Sequence, residues 1–460
     1  MGHVASPRAC ASPAHMAMLT DLYELTMAAG YFEHRPHDQA TFDLFVRKLP
    51  PGRNYLIFAG LEQALDYLRH VSFDDEAIRY LRAERRFAPA FLDSLRRFRF
   101  RGSVEAMPEG TVFFPNEPVV RVTGTLIEAQ IVETFLLNTI NLQTMIASKA
   151  VRVVGAAKGR PVVEFGLRRA HGADAGLYGA RAAYLAGCAG TSNVLAGQIY
   201  GIPIYGTMAH SFIQAFPSER EAFTAFGRTF PRDTTLLIDT YDTVEGARRA
   251  AVVAQELARR GGRLGSVRLD SGDLWALSRQ VRRVLDNAGL RRVRIFASGN
   301  LTEQGIADLL RRGAPIDAFG VGTELSVSAD APSLDVVYKM SEIIRGGRSV
   351  PTMKLSAHKQ TYPGRKQVVR GVLRGRLMSD VLTLEGEQAA GRRLLQPVMR
   401  NGRLVGKLPS LAQIRARVRR EVASLPPRLR RLEDTAPYPV TISPGLRTLI
   451  RQVRHSLVSN

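Results

Sequence analysis

The chain is poor in cysteine, in acidic residues and in unbroken apolar runs. Only two cysteines, Cys10 and Cys188, occur in 460 residues. Two thiols cannot build a disulfide framework, so a reducing compartment, the cytoplasm, is expected. Asp and Glu number 42 against 64 Lys and Arg, a formal charge of +22. Such a balance admits nucleic acid or anionic small molecules as partners. The arginines cluster at 82–101, 248–263, 279–294 and 415–431. No aromatic-interleaved basic motif accompanies them, so solvated helix faces are the plainer reading and no specific nucleic acid is expected. The first fifteen residues have no apolar signal core. Met1-Gly2 with Ser6 fits a loose myristoylation pattern, but a disordered leader over 1–17 is expected, with Met16 or Met18 as alternative starts. Neither a Walker loop nor a GxGxxG with a following acid is present, which disfavours a P-loop NTPase and a dinucleotide fold.

One stretch lacks charge altogether. Residues 182–218 carry none, although 23% of the chain is charged. Asn193, Gln198, Pro203 and several glycines interrupt it, whereas a membrane span needs about 20 mostly apolar residues. Buried core opening onto a pocket is the expectation, with no membrane. The stretch has a single group titrating near neutrality, His210, within Gly206-Thr207-Met208-Ala209-His210-Ser211-Phe212. A lone histidine in apolar surroundings is usually a satisfied core residue, and the neighbouring segments decide otherwise.

Thr20-Asp21 reads as the cap of a helix to about residue 32. Residues 40–47 alternate like a half-buried strand, 60–70 and 74–86 read as helices, and 103–125 hold short strands broken by Pro115 and Pro118. A long helix over 128–155 closes this N-terminal α+β domain, 18–155. From Arg160 apolar runs alternate with helical patterns: 162–165, 202–205, 235–239, 266–269, 293–297 and 316–319. Strand–helix units in succession predict a parallel sheet, open or closed into a barrel. The barrel domain is expected over 156–340. Beyond it, 341–460 reads as a small C-terminal region with β-like runs, a basic helix and a basic tail, packed back on the N-terminal domain. The fold class is therefore α/β, an irregular parallel barrel with an N-terminal α+β domain.

Each expected barrel strand is followed by chemically capable residues. They are Arg168 and Arg169; Thr207 and His210; Asp239 and Asp242; Arg268, Asp270, Ser271 and Asp273; Ser298, Gly299 and Asn300; Gly320, Gly322 and Thr323. Barrel sites lie at the C-terminal strand ends, so this pattern marks a site. Arg268 suits a planar anion, and the nearby carboxylates suit Mg²⁺ or ribose hydroxyls. The blander alternative has Ser271 capping the next helix while Arg268 and Asp270 pair. The glycine turns on the last two strands allow backbone N–H groups to approach a phosphate. The segment 236–243 is similar to the acidic loop of orotate- and purine-type phosphoribosyltransferases, but its second acid is displaced to Asp242.

Five motifs together resemble the nicotinate phosphoribosyltransferase family: Thr20-Asp21-Leu22-Tyr23-Glu24, Glu164-Phe165-Gly166-Leu167-Arg168-Arg169, Gly190-Thr191-Ser192-Asn193, the Ala-His-Ser around His210, and Arg268-Leu269-Asp270-Ser271-Gly272-Asp273. That resemblance implies transfer of ribose 5-phosphate from phosphoribosyl pyrophosphate to nicotinate, coupled to ATP hydrolysis, toward NAD. It implies a homodimer with shared sites, and Mg²⁺ with ligands left unknown. It makes His210 a phosphohistidine and sets Tyr23 (from the partner subunit) and Phe165 about the pyridine ring. Thr207 and Arg268 contact nicotinate, Arg168 lies near phosphates, and Asp270 faces ribose or metal. Gly299, Gly322 and Thr323 line the 5-phosphate site. Asn300 stands where the family often has an acid; it can hydrogen-bond a ribose hydroxyl but brings no charge. Nicotinamide- or quinolinate-directed transfer, and a basic nucleic-acid-binding protein, are the competing expectations.

Overall fold

The computed structural model describes residues 13–356, 359–433 and 436–458. Met1, Gly2, Ser6 and Cys10 lie outside them, so the myristoylation pattern has no structural counterpart here. Pro13–Met18, within the segment read as a leader, forms a 3₁₀ helix with Ala17 buried. Two compact units are present, one of residues 1–145 with 333–460 and one of 146–332. The N-terminal and C-terminal segments, read separately in the sequence, fall in one unit.

That first unit is built on a seven-stranded antiparallel sheet. Gln39–Val46 lies between Val336–Arg345 and Val120–Thr125, which brings strands from both ends of the chain together. Seven of the eight residues of Gln39–Val46 are buried. The half-buried strand expected from its alternation is thus covered on both faces, and its polar positions find partners inside. Asp43 pairs with Lys366 at 2.7 Å. Thr41 donates to Glu342 at 3.0 Å. A second sheet of four strands carries Arg370, wholly buried and held by Asp380 at 2.5 Å and Glu421 at 3.0 Å. Glu421 comes from Leu411–Ser424, the basic helix of the C-terminal region, started by a Ser410/Gln413 capping box.

The first helix is Leu22–His34. Asp21 precedes it but does not cap it; its carboxylate accepts from the Thr134 hydroxyl at 2.8 Å instead. The single helix expected over 128–155 is two. A Thr125/Glu128 capping box starts Leu126–Ile131, the chain breaks at Val132, and Glu133–Ala156 follows.

The second unit contains six parallel strands in the order Gly190–Thr191, Val162–Glu164, Ala318–Val321, Arg294–Ala297, Leu264–Leu269, Thr234–Leu237. Every neighbouring pair is parallel, so all the C-terminal ends lie at one rim. One expected strand is corrected. Residues 202–205 form only a single bridge, Thr191 with Ile204, and Gly190–Thr191 is the strand instead. Two residues and one bridge leave the ladder open there, which makes the barrel irregular.

Helices start where side chains satisfy their first N–H groups. Asn193, Ser218, Asp242, Asp273 and Thr302 each accept from the turn that follows. Asp242, the displaced acid, is thus a helix cap. Among the described residues no helix is long and apolar enough to cross a membrane.

The uncharged stretch is only partly core. Ala182, Ala183, Leu185 and Cys188 are buried. Val194 is 68% exposed, and Leu195, Ile199, Ile204 and Tyr205 stand beside it at about half exposure. Absence of charge there marks an apolar surface as well as an interior, because the short Val194–Tyr200 helix covers the sheet with one face only.

Candidate active site

Arg268 is next to last on Leu264–Leu269 and organises the rim. Its Nε donates to Ser298 Oγ at 2.9 Å, and its Nη1 donates to Thr207 Oγ1 at 3.0 Å and to the Met208 carbonyl at 3.2 Å. Nη2 donates to Asp270 Oδ1 at 2.9 Å. Two strand ends and the 206–208 loop are thereby tied to one guanidinium. Asp270 also accepts from Ser298 Oγ at 2.5 Å. Burial pushes the Asp270 carboxyl up, but the hydrogen bonds from Ser298 and Arg268, with the charges of Arg268 and His210, outweigh it and hold it below the usual range.

Phe165 follows Val162–Glu164 and lies under this guanidinium, with Arg268 Cζ 5.8 Å from its ring centroid. Its ring packs on Phe296 at 5.7 Å. Gly320 makes room for both, since a Cβ there would come within 2.8 Å of either ring. Glu164, buried behind Phe165, accepts from Thr191 Oγ1 at 2.6 Å and from the Gly166 amide. Burial pushes its carboxyl up, and those two donors ease the shift.

His210 opens the short helix His210–Gln214 and is half-buried. Its Nδ1 lies 3.1 Å from Thr240 Oγ1. Next to Thr240, Asp239 Oδ2 accepts from the Asp270 amide at 2.9 Å and from Ser271 Oγ at 2.6 Å. Ser271 therefore braces a neighbouring loop, and Asp273 takes the capping role expected of Ser271. Asp239 Oδ1 is buried without a hydrogen-bond partner.

The last two strands end in the expected glycine turns. Gly299 has φ +89, and a Cβ on it would fall 1.9 Å from the Asp270 carbonyl, so only glycine lets these loops touch. Asn300 continues in the left-handed region at φ +43. Gly322 precedes the turn Thr323–Ser326, whose last two amides, of Leu325 and Ser326, donate to the Gly322 carbonyl.

Of the sequence-derived residues, the bonds and ring contacts above join Phe165, Thr207, Arg268 and Asp270, with His210 bearing on Asp270 by charge and Gly299 packed against it. Arg168 stands apart, exposed on the 3₁₀ turn Leu167–Arg169. Tyr23, 49% exposed, belongs to the first unit. Ser298 and Asp239 were visible as strand-end residues without a role, and Thr240 stood unremarked within the segment 236–243. Their pairing across about 30 residues is tertiary, between adjacent strand ends for Ser298 and Asp239 but not for Thr240, and has no local signal. Among the described residues no group of three or more His, Cys, Asp or Glu is placed to hold a metal ion.

A parallel α/β barrel whose strand-end rim gathers an arginine, hydroxyls and a carboxylate over an aromatic ring has the architecture of a barrel enzyme. Three matches cover nearly the whole chain. Residues 18–141 match the nicotinate phosphoribosyltransferase (NAPRTase) N-terminal domain, 161–385 the NAPRTase family, and 387–450 the nicotinate phosphoribosyltransferase C-terminal domain. The nicotinate phosphoribosyltransferase pncB2 of Mycobacterium tuberculosis is 51% identical, with 96% of this chain and 94% of that protein covered. The Bacillus subtilis nicotinate phosphoribosyltransferase is 41% identical over 83% of this chain and 79% of its own length. The crystal structure of human nicotinic acid phosphoribosyltransferase superposes with a TM-score of 0.86 at 31% identity, covering 94% of this chain and 99% of that one. The chain belongs to the nicotinate phosphoribosyltransferase family.

Proposed function

We propose that the protein transfers the 5-phosphoribosyl group of phosphoribosyl pyrophosphate to the ring nitrogen of nicotinate, forming nicotinate mononucleotide and pyrophosphate on a route to NAD. The observation that carries this reading is the Arg268 guanidinium over the Phe165 ring, with Thr207 alongside. A flat ring bearing a carboxylate fits such a place: the ring lies on phenylalanine and the carboxylate meets arginine and a hydroxyl.

In the reaction the nicotinate nitrogen lone pair forms the bond to the sugar C1, and the C1–oxygen bond breaks with its electron pair leaving on pyrophosphate. Positive charge grows on the sugar, and Asp270, ionised beside Arg268, faces the ribose. Gly299, Asn300, Gly322 and Thr323 present backbone and hydroxyl donors to the 5-phosphate. Arg168, free on its exposed turn, reaches toward the pyrophosphate. Mg²⁺ fits as an ion brought by the pyrophosphate, completed by Asp239 Oδ1 or Asp270, because no protein cage is built for it among the described residues and magnesium keeps phosphate and water ligands. When bound it would neutralise the leaving anion.

ATP enters as a co-substrate through His210. In the tautomer whose Nδ1–H donates to Thr240, the Nε2 lone pair takes the γ-phosphoryl group as ADP departs, and water later releases phosphate. This makes the enzyme an ATP-dependent ligase of the cytoplasm.

We further propose a homodimer, with Tyr23 of one subunit closing the nicotinate site of the other. The exposed Val194, Leu195, Ile199, Ile204 and Tyr205 support such an apolar association. Binding to nucleic acid finds less support, because arginines of the basic clusters face the chain's own acids. Examples are Arg249 with Glu219 at 2.8 Å and Arg263 with Asp233 at 3.1 Å.

A structure of nicotinate-nucleotide pyrophosphorylase from Pyrococcus furiosus, with a TM-score of 0.73 at 27% identity, keeps a related reaction in view. Assays with nicotinate, nicotinamide and quinolinate, each with phosphoribosyl pyrophosphate and with or without ATP, test the proposal. Turnover of nicotinate stimulated by ATP is expected. Preference for either of the other two acceptors overturns the substrate assignment, and no ATP effect overturns the coupling.

A further inference from the structure

The second unit buries a charged cluster behind the rim. Lys149, on the helix Glu133–Ala156, has its side chain 1% exposed. Its ammonium lies 2.5 Å from Glu303 Oε2 and 2.9 Å from Asp330 Oδ1. The other Glu303 oxygen accepts from Arg152 Nε at 3.0 Å. Burial pushes the Glu303 carboxyl up, and Lys149 with Arg152 more than offsets it, so the group sits below its usual value.

Buried ion pairs are seldom worth more to stability than apolar packing, so their value lies in geometry. The position of the two anions is what matters here. Glu303 is the first residue of the helix that follows Gly299-Asn300, and Thr302 stiffens the junction by accepting from the Gly305 amide at 2.9 Å. Asp330 follows the Gly322-Thr323 turn. A short tether joins the two: the Val327 amide donates to the Thr323 carbonyl at 3.1 Å, Ala329 to Glu324 at 3.2 Å, and Ala331 to Ser328 at 2.7 Å. One ammonium therefore grips the loops after two adjacent strands, Arg294–Ala297 and Ala318–Val321, from their buried side.

We propose that Lys149 is a positioning residue that sets the spacing of the two phosphate-holding loops, a claim that rests on the assignment of those loops to the 5-phosphate of phosphoribosyl pyrophosphate. The two cations and two anions of these pairs balance, so the grip acts by ordering the backbone donors. Preorganised donors hold a phosphate without reorganising when it arrives.

The test uses the full chain and separate KM values for phosphoribosyl pyrophosphate and nicotinate, with Tm as a control. Asp330→Asn removes one arm of the grip at a partly exposed side chain, and Lys149→Met removes both. A rise of about threefold in the KM for phosphoribosyl pyrophosphate is expected for Asp330→Asn and about tenfold or more for Lys149→Met, with the KM for nicotinate within about twofold. Equal rises in both KM values, or a lowered Tm with neither KM changed, overturn the proposal; Asp330→Asn decides it if Lys149→Met does not fold. Thr323→Val separates the two claims. If it raises the KM for phosphoribosyl pyrophosphate while the Asp330 and Lys149 variants do not, the grip is wrong and the phosphate site stands. If Thr323→Val leaves that KM unmoved, the phosphate site falls and the grip with it.

Discussion

Arg268 Nη2 and Asp270 Oδ1 lie 2.9 Å apart, in a pair that is partly open to solvent. The arginine expected to meet nicotinate is thus already neutralised in the free protein. A carboxylate arriving from solution finds a guanidinium whose direction is set by Ser298, Thr207 and Met208 rather than a loose cation. Such preorganisation favours selectivity, because the arginine has little freedom to adapt to an amide.

Loss of this group has a measurable sign. A hydrogen bond to a charged group contributes about 1.5–3 kcal/mol, so Arg268→Ala is expected to lower kcat/KM for nicotinate by about ten- to a hundredfold and to shrink its advantage over nicotinamide. Arg268→Lys should fall well short of wild type, since an ammonium cannot hold Ser298, Thr207 and Asp270 together. Unchanged discrimination in steady-state kinetics would sink the assignment.

The His210 variants separate a phosphate acceptor from a general base. His210→Ala should abolish ATP hydrolysis and ATP stimulation while slow transfer without ATP survives, because the sugar site is built from other loops. Label from γ-labelled ATP should appear on wild type, acid-labile and base-stable, and be absent from the variant. Thr240→Val, which removes the partner of Nδ1, should lower the labelling rate and leave ATP-independent transfer near wild type. Label persisting on His210→Ala places the acceptor elsewhere.

Shared sites predict rescue. Tyr23→Ala and His210→Ala, each inactive in ATP-coupled turnover, should recover part of that activity when mixed, since one site of each mixed dimer is then intact. Absence of recovery, with subunit exchange verified, argues against a partner's Tyr23 in the site.

A pH effect is expected behind Tyr23. Glu24 is wholly buried, accepting from the Gln130 amide at 2.6 Å, and that same amide donates to Glu133 at 3.0 Å. Burial, opposed by Gln130 and reinforced by Glu133, raises the Glu24 carboxyl from 4.5 to about 7. The native state then holds this proton more tightly than the unfolded chain. Its contribution to stability is full below about pH 4.5 and is lost as pH rises through about 7, a difference of about 3 kcal/mol at most. Glu24→Gln should therefore gain Tm over wild type at pH 8 and lose that advantage by pH 4.5. An offset that does not change with pH rejects the assignment.

Much of the barrel was legible because it is written in local periodicity. Apolar runs ending in polar residues gave five of the six strands, whereas the caps Asp242, Asp273 and Thr302 were not read as caps. The motifs at His210 and Arg268 were legible too, since their residues are neighbours in the chain. Other features depend on distance. The alternation of 40–47 could not reveal a strand whose polar residues are buried too, because their partners come from far along the chain: Glu342, on the neighbouring strand Val336–Arg345, for Thr41, and Lys366 for Asp43. The uncharged stretch could not separate core from exposed apolar surface, as both exclude charge for the same reason, the cost of burying it. Which hydroxyl holds Arg268, which threonine holds His210, and which ammonium ties Glu303 to Asp330 are matters of tertiary placement. Local sequence sets where a strand ends and what chemistry it offers; only tertiary packing, by laying those ends side by side, determines which groups come within a hydrogen bond of one another.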